Sequence, residues 1–193
     1  MRLFMLHLGF IVGNTILIFP STSNAQSVIK NRTDSFKVWA NQNWKTLHHD
    51  NFSVQYPTSW ELHENGPMGI IFMLMSPIES TKDKIRENIN LIIQDLAENI
   101  INLNQFVAIS EKQLKIIMPN SLLIESKRIR NGNGEHHKIV YTADQDAFHL
   151  KVEQYYWVME KKVYMLTFTC EKAKFDAFKK IGERILNTFV ISK

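Results

Sequence analysis

The sequence predicts an α+β fold in which a mainly antiparallel sheet is shielded by two amphipathic helices. Phe52, Val54 and Tyr56 alternate with Ser53 and Gln55 and run into Pro57. A proline cannot donate to a ladder, so this half-buried strand ends there. Between Leu103 and Met118 the apolar spacing becomes helical, with Leu103, Phe106, Val107, Leu114 and Ile117 on one side and Glu111, Lys112 and Lys115 opposite. A second helical stripe, Phe175, Phe178, Ile181, Ile185, Leu186 and Phe189, closes the chain.

The chain opens on Met1-Arg2, an apolar run from Leu3 to Phe19, then Pro20 and the small polar residues Ser21 to Ala25. A charged start, an apolar middle and small residues at Ser23 and Ala25 read as an export signal over residues 1–25, cut after Ala25. The competing reading is an uncleaved anchor. A spanning helix needs about 20 apolar residues, and His7 and Asn14 interrupt a run already shorter than that. No cysteine lies near the cut to carry a lipid. The remainder of the chain is of single-domain length: a partly loose segment over 26–44, then one domain over 45–193. The expectation is an exported protein, periplasmic or extracellular, with no transmembrane span in the mature chain.

The formal charge is +4 and the isoelectric point about 9.1. A nucleic-acid binder concentrates positive charge along one track, because its affinity comes from displacing counterions there. Here Lys127-Arg128-Ile129-Arg130 and Lys161-Lys162 both have acidic neighbours, so solvated faces are expected and nucleic acid is not a partner. Cys170 is the single cysteine, which excludes an internal disulfide. It falls in phase with Tyr164, Leu166 and Phe168 and reads as a small apolar residue on an inward strand face. A reactive thiol is the sharper alternative, but no basic residue immediately precedes it to lower its pKa.

Taken in order, Ser35 to Gln42 can form a short helix that lays Trp39 on the domain, and Lys45 to Leu47 can pair with Asn51 to Tyr56 across His48-His49-Asp50. Trp60 to Glu64 is a short strand, Asn65-Gly66-Pro67 turns, and Ile70 to Met75 is a strand buried on both faces. Asn88 to Gln94 suits a strand, although so short a run also permits helix. Asn102 is available to cap the first helix and Pro119 stops it. Asn131-Gly132-Asn133-Gly134 then joins two antiparallel strands, Leu122 to Ile129 and Lys138 to Thr142. Phe148 to Val158 and Val163 to Cys170 are long central partners joined at Glu160-Lys161-Lys162, and the closing helix runs from about Lys172 to Thr188.

The phrases Phe52-Ser53-Val54 to Trp60, Asn88-Ile89-Asn90-Leu91-Ile92, the glycine turn with Tyr141 after it, Tyr164-Met165-Leu166-Thr167 and Ile185-Leu186-Asn187-Thr188-Phe189 occur in an order that resembles the PsbP-like family. This family includes the photosystem II extrinsic protein and bacterial DcrB-like relatives, and the resemblance covers roughly Lys45 to Val190. It implies an α/β/α sandwich with a mainly antiparallel central sheet flanked by helices. It also implies an exported, non-enzymatic protein that binds or supports another envelope protein or complex. Nothing in the chain is specific to photosynthesis.

Several residues invite chemistry. A metal site assembled across strands would draw on His48, Asp50 and His137, since adjacent histidines on a strand point to opposite faces and give one ligand each. Exposed histidines are the plainer reading. Met73 and Met75 share a strand face and suit copper(I), or they fill a core. Ser121 and Ser126 lack the strand-turn-helix setting of an exposed nucleophile. Glu125, Glu135, Asp144 and Asp146 could hold a carboxylate pair, or could line a solvated loop. On the strand from Phe148 the second face carries His149, Lys151, Glu153, Tyr155 and Trp157, and an uncovered Tyr155 and Trp157 would make a partner surface. The alternative is that the N-terminal segment, through Trp39 or Trp44, packs over them. No enzyme signature and no cofactor motif are found. The expected function is an envelope accessory or interaction module, with a periplasmic small-ligand or metal carrier as the alternative.

Overall fold

A computed structural model describes residues 43–192 apart from 81, 82, 84, 97–99, 101, 133, 146 and 147. The export signal, its cut, the short helix near residues 35–42 with Trp39, and Asp146 lie outside the described residues.

Seven strands form one antiparallel sheet in the order β3-β4-β5-β9-β8-β7-β6: β3 Glu61–Glu64, β4 Ile70–Met75, β5 Asn88–Asp95, β6 Leu122–Asn131, β7 Gly134–Gln145, β8 Phe148–Met159 and β9 Lys162–Glu171. A second sheet has three strands in the order β1-β2-β10: β1 Trp44–His49, β2 Phe52–Pro57 and β10 Val190–Ile191. Two helices complete the fold, α1 Leu103–Ile117 and α2 Phe175–Asn187.

The expected α+β class and mainly antiparallel sheet are what the chain forms. The flanking layers are thinner than a helical sandwich would have. One face of the large sheet carries α1, and the other carries α2 together with the three-stranded sheet. This divides the opening unit. β2 pairs with β1 and β10, whereas β3 and β4 join the large sheet, the chain crossing between them where the Trp60 N–H donates to the Pro57 carbonyl at 2.9 Å.

β4 is buried on both sides, as its unbroken apolar run requires. Phe72 and Leu74 enter the cluster under α2, while Met73 and Met75 enter the cluster under α1 with Phe106. The methionines therefore fill a core. β8 and β9 divide their residues in the same way, and Cys170 is buried in the α2 cluster as its phase requires.

Local signals set the element ends. The Asn102 side chain accepts the Gln105 N–H at 3.0 Å and caps α1. The β6–β7 turn uses a left-handed residue at Gly134, φ 94°, where a side chain would be strained. The β8–β9 reversal places Glu160 and Lys161 at φ 52° and 60°, the twist a two-residue hairpin needs. No described helix is long and apolar enough to cross a membrane.

Candidate functional site

The sequence-derived metal set does not assemble. His48 lies on β1 of the small sheet, on the α2 side, and Asp50 follows in its turn. His137 lies on β7 and turns toward α1, across the large sheet. The carboxylates scatter too. Glu125 meets Lys127 and Lys138, Glu135 meets Arg128 and Arg130, and Asp144 meets His149.

Of the two readings of Tyr155 and Trp157, an open partner surface or covered core, the fold forms the covered core. They are 3% and 4% exposed. Phe189, just beyond the end of α2, roofs this part of β8, with the Trp157 and Phe189 ring centroids 5.1 Å apart. His136 stacks on both aromatics at 4.9 Å. The cover thus comes from the C-terminal end and from β7, and Trp44 packs on the rim of the same cluster beneath the Arg184 guanidinium.

Beside these rings lies a buried ion group that sequence reading did not single out. Lys138 is 2.9 Å from Glu153, 3.3 Å from Glu183 of α2 and 3.4 Å from Glu125. Burial alone would lower the Lys138 ammonium, but Glu153 first, then Glu125 and Glu183, hold it above its ordinary value. Burial raises Glu153 while Lys138 pulls it back. The group ties α2 to the sheet. Burial also depresses His136, to about 4.

A second group lies at the start of α2. Glu79, Asp83 and Glu87 converge closely enough to hold a cation. The Lys174 ammonium occupies that position, 2.5 Å from Asp83, 3.1 Å from Glu79 and 3.8 Å from Glu87. A cation at a helix N-terminus opposes the helix dipole, and the carboxylates offset that. Burial pushes Glu87 up to about 7 against the pull of Lys174. Burial, and next the Glu87 charge, push the Cys170 thiol well up, away from thiolate chemistry.

On the α1 face, Ser126 Oγ is 2.8 Å from His137 Nε2 and 2.5 Å from Glu111 Oε1. A serine has one proton, and an ionised carboxylate can only accept, so Ser126 donates to Glu111 and His137 donates to Ser126. A nucleophile relay runs the other way, with the acid behind the histidine. Here His137 Nδ1 is buried without a partner. The trio joins α1 to β6 and β7. Burial, then Arg128, lower His137, and Glu111 opposes them.

Next to it, Asn102, Leu103, Asn104, Arg128, Glu135 and Val158 line a hollow of about 300 Å³ between the start of α1 and the β6–β7 hairpin. Arg128 donates to Asn104 and lies 3.5 Å from Glu135, so its walls are polar and charged. At the other end of α1, Ile116, Ile117, Leu122 and Ile124 stand exposed. The α1 and β6 side is therefore where both a polar recess and an apolar surface are open, while the α2 side closes over its aromatics and its lysines.

A seven-stranded antiparallel sheet with one helix on each face, one of them joined by a three-stranded sheet, defines the class: an antiparallel α+β scaffold. The chain belongs to the PsbP-like protein family, whose model matches residues 10–191. Among solved structures it is similar to CyanoP, the cyanobacterial PsbP of Synechocystis, at 12% identity and TM-score 0.57, covering 77% of this chain and 92% of that one. It is also similar to LpqN of Mycobacterium tuberculosis, described as involved in cell envelope biogenesis, at 12% identity and TM-score 0.61, covering 85% and 98%. A Pseudomonas aeruginosa protein of unknown function gives 13% identity and TM-score 0.50, covering 78% and 98%. At these identities the likeness is one of fold. The search of curated proteins found no match.

Proposed function

We propose that this protein is an exported, non-enzymatic accessory module of the cell envelope that holds another envelope component on its α1 and β6 side. The observation that carries the reading is the asymmetry of the two faces. Charged and aromatic groups on the α2 side are buried against one another, whereas Asn104, Arg128 and Glu135, although bonded to each other, line a hollow at the surface. Export is supported by the Met1-Arg2 start, the apolar run to Phe19 and the small residues up to Ala25. The envelope assignment is supported by the likeness in fold to LpqN, a protein involved in cell envelope biogenesis. The polar lining of the hollow suits a protein surface carrying charged groups better than an apolar small molecule.

The test is photocrosslinking in cells from a reporter amino acid at Asn104, which is exposed at the hollow. Specific capture of an envelope component from Asn104, reduced by Arg128→Glu and absent when the reporter sits instead at exposed Lys172 on the α2 side, supports the reading. Capture of cytosolic proteins only, or equal capture from both sites, rejects it.

A further inference from the structure

Among the described residues, Met68, Ile78 and Val190 are exposed singly, whereas four large apolar side chains left in solvent fall close together in the chain around the end of α1. Ile116 is 69% exposed, Leu122 64%, Ile124 50% and Ile117 39%. They flank one tight connection, in which Met118 N–H donates to the Leu114 carbonyl and Ser121 N–H donates to the Met118 carbonyl, both at 2.9 Å. The end of α1 and the start of β6 thus bring exposed apolar side chains together at the end of the edge strand, Leu122 sharing the sheet face of its partner Thr142. Lys112 and Lys115 stand exposed on the adjoining helical turns. Glu125 is paired with Lys127 and Lys138, while Glu111 accepts from the neutral Ser126 hydroxyl and keeps its charge beside Lys112.

We propose that this corner seats shallowly in an anionic lipid surface. Ile116, Ile117, Leu122 and Ile124 enter the boundary between headgroups and acyl chains, and Lys112 and Lys115 meet lipid phosphates. The inference rests on the envelope reading above, which puts the protein beside a membrane, and it deepens that reading by naming what the apolar corner touches. Shallow peripheral binding takes its strength from buried apolar area plus attraction to anionic headgroups, and both are present within a few residues here.

Two other occupants fit less well. A second copy would meet this surface about a two-fold axis and set Lys112 and Lys115 against their own counterparts. An added strand on the outer edge of β6 would face the bulge between Leu123 and Glu125 and the charges of Lys127, Arg128 and Arg130, features that block edge pairing.

The test is sedimentation of the purified protein with vesicles of phosphatidylethanolamine and phosphatidylglycerol, and with vesicles of phosphatidylcholine alone. Binding to the anionic vesicles, weakened by salt, is expected. The pair Lys112→Glu and Lys115→Glu should lower the partition coefficient by roughly fivefold or more per lysine. The pair Ile116→Ser and Ile124→Ser should lower it by about tenfold or more. These side chains point to solvent, and unchanged circular dichroism confirms that both variants keep the fold.

Absence of binding, equal binding to the uncharged vesicles, or binding that survives both pairs of substitutions, as insertion of the N-terminal apolar run would, overturns the proposal. So does a dimer in sedimentation equilibrium that the isoleucine substitutions disperse without any vesicle effect. Capture of an envelope protein at Asn104 without vesicle binding leaves the accessory reading standing while this inference fails.

Discussion

His136 and His137 are neighbours in sequence with opposite fates. A strand sends them to opposite faces, so His137 meets Ser126 under α1 while His136 lies across both Tyr155 and Trp157 under the α2 side. Alternation was legible and did separate the two rings. What covers each face was not, because cover is supplied by Phe189 and α2, far along the chain, and this is why the sequence could place over Tyr155 and Trp157 only the N-terminal segment or solvent. The depressed pKa of His136 has a measurable consequence. Its folded value of about 4 lies below the unfolded 6.5, so the stabilisation it brings is full above pH 6.5 and lost as pH falls toward 4. By pH 5 that loss amounts to about 2 kcal/mol. Glu87 works in the opposite direction, since a carboxyl raised to about 7 stabilises the fold as pH falls from 7 toward 4.5. Urea unfolding of His136→Phe should therefore show stability that rises from pH 7.5 to pH 5 relative to wild type. Parallel curves for the two proteins would show that His136 is not held neutral by burial.

At the scale of elements, what is local was readable. The Asn102 cap, the Pro119 stop, the glycine turn before β7 and the helical stripe of α2 each depend on neighbouring residues, and each falls within a few residues of its expected place. Short elements fixed by distant partners were not readable. β10 has two residues, and only their pairing with Ser53 and Phe52 makes them a strand. Gly182 is another such case. Nothing in the stripe of α2 marks it, yet a Cβ there would lie 2.6 Å from the Phe168 ring on β9. The glycine lets the helix approach the sheet. Alanine would gain about 1 kcal/mol of helix propensity. Overpacking a rigid buried ring costs about 1–3 kcal/mol. Gly182→Ala should thus be net destabilising by about 1 kcal/mol, read as a lower urea midpoint with an unchanged slope. In a Phe168→Leu background, where the ring is gone, the same substitution should become neutral or stabilising. Equal effects in both backgrounds would remove the close contact as the cause.

For the whole molecule the decisive feature is that one sheet serves two cores. Tyr156 and Met165 enter the α1 cluster while Tyr155, Trp157 and Leu166 on the same two strands enter the α2 cluster. The unbroken apolar run of β4 announced this arrangement in the sequence, because a strand with no polar face needs cover on both sides. Melting either helix away would expose half of β4, β8 and β9 to water, so neither cluster can be lost while the other persists. The tryptophans make this testable. Trp60 and Trp157 belong to the α2 cluster and Trp44 packs on it, while the α1 cluster has none among the described residues. Phe106→Leu places its damage wholly on the α1 side, where Phe106 packs edge-on against Tyr156 at 5.1 Å. The substitution should cost about 1–3 kcal/mol. If the sheet couples the faces, tryptophan fluorescence and far-ultraviolet circular dichroism will move to the same lower urea midpoint, although Trp44, Trp60 and Trp157 all lie in or against the other cluster. A fluorescence transition left at the wild-type midpoint while the dichroism shifts would mean that the α1 layer unfolds on its own, separately from the α2 side.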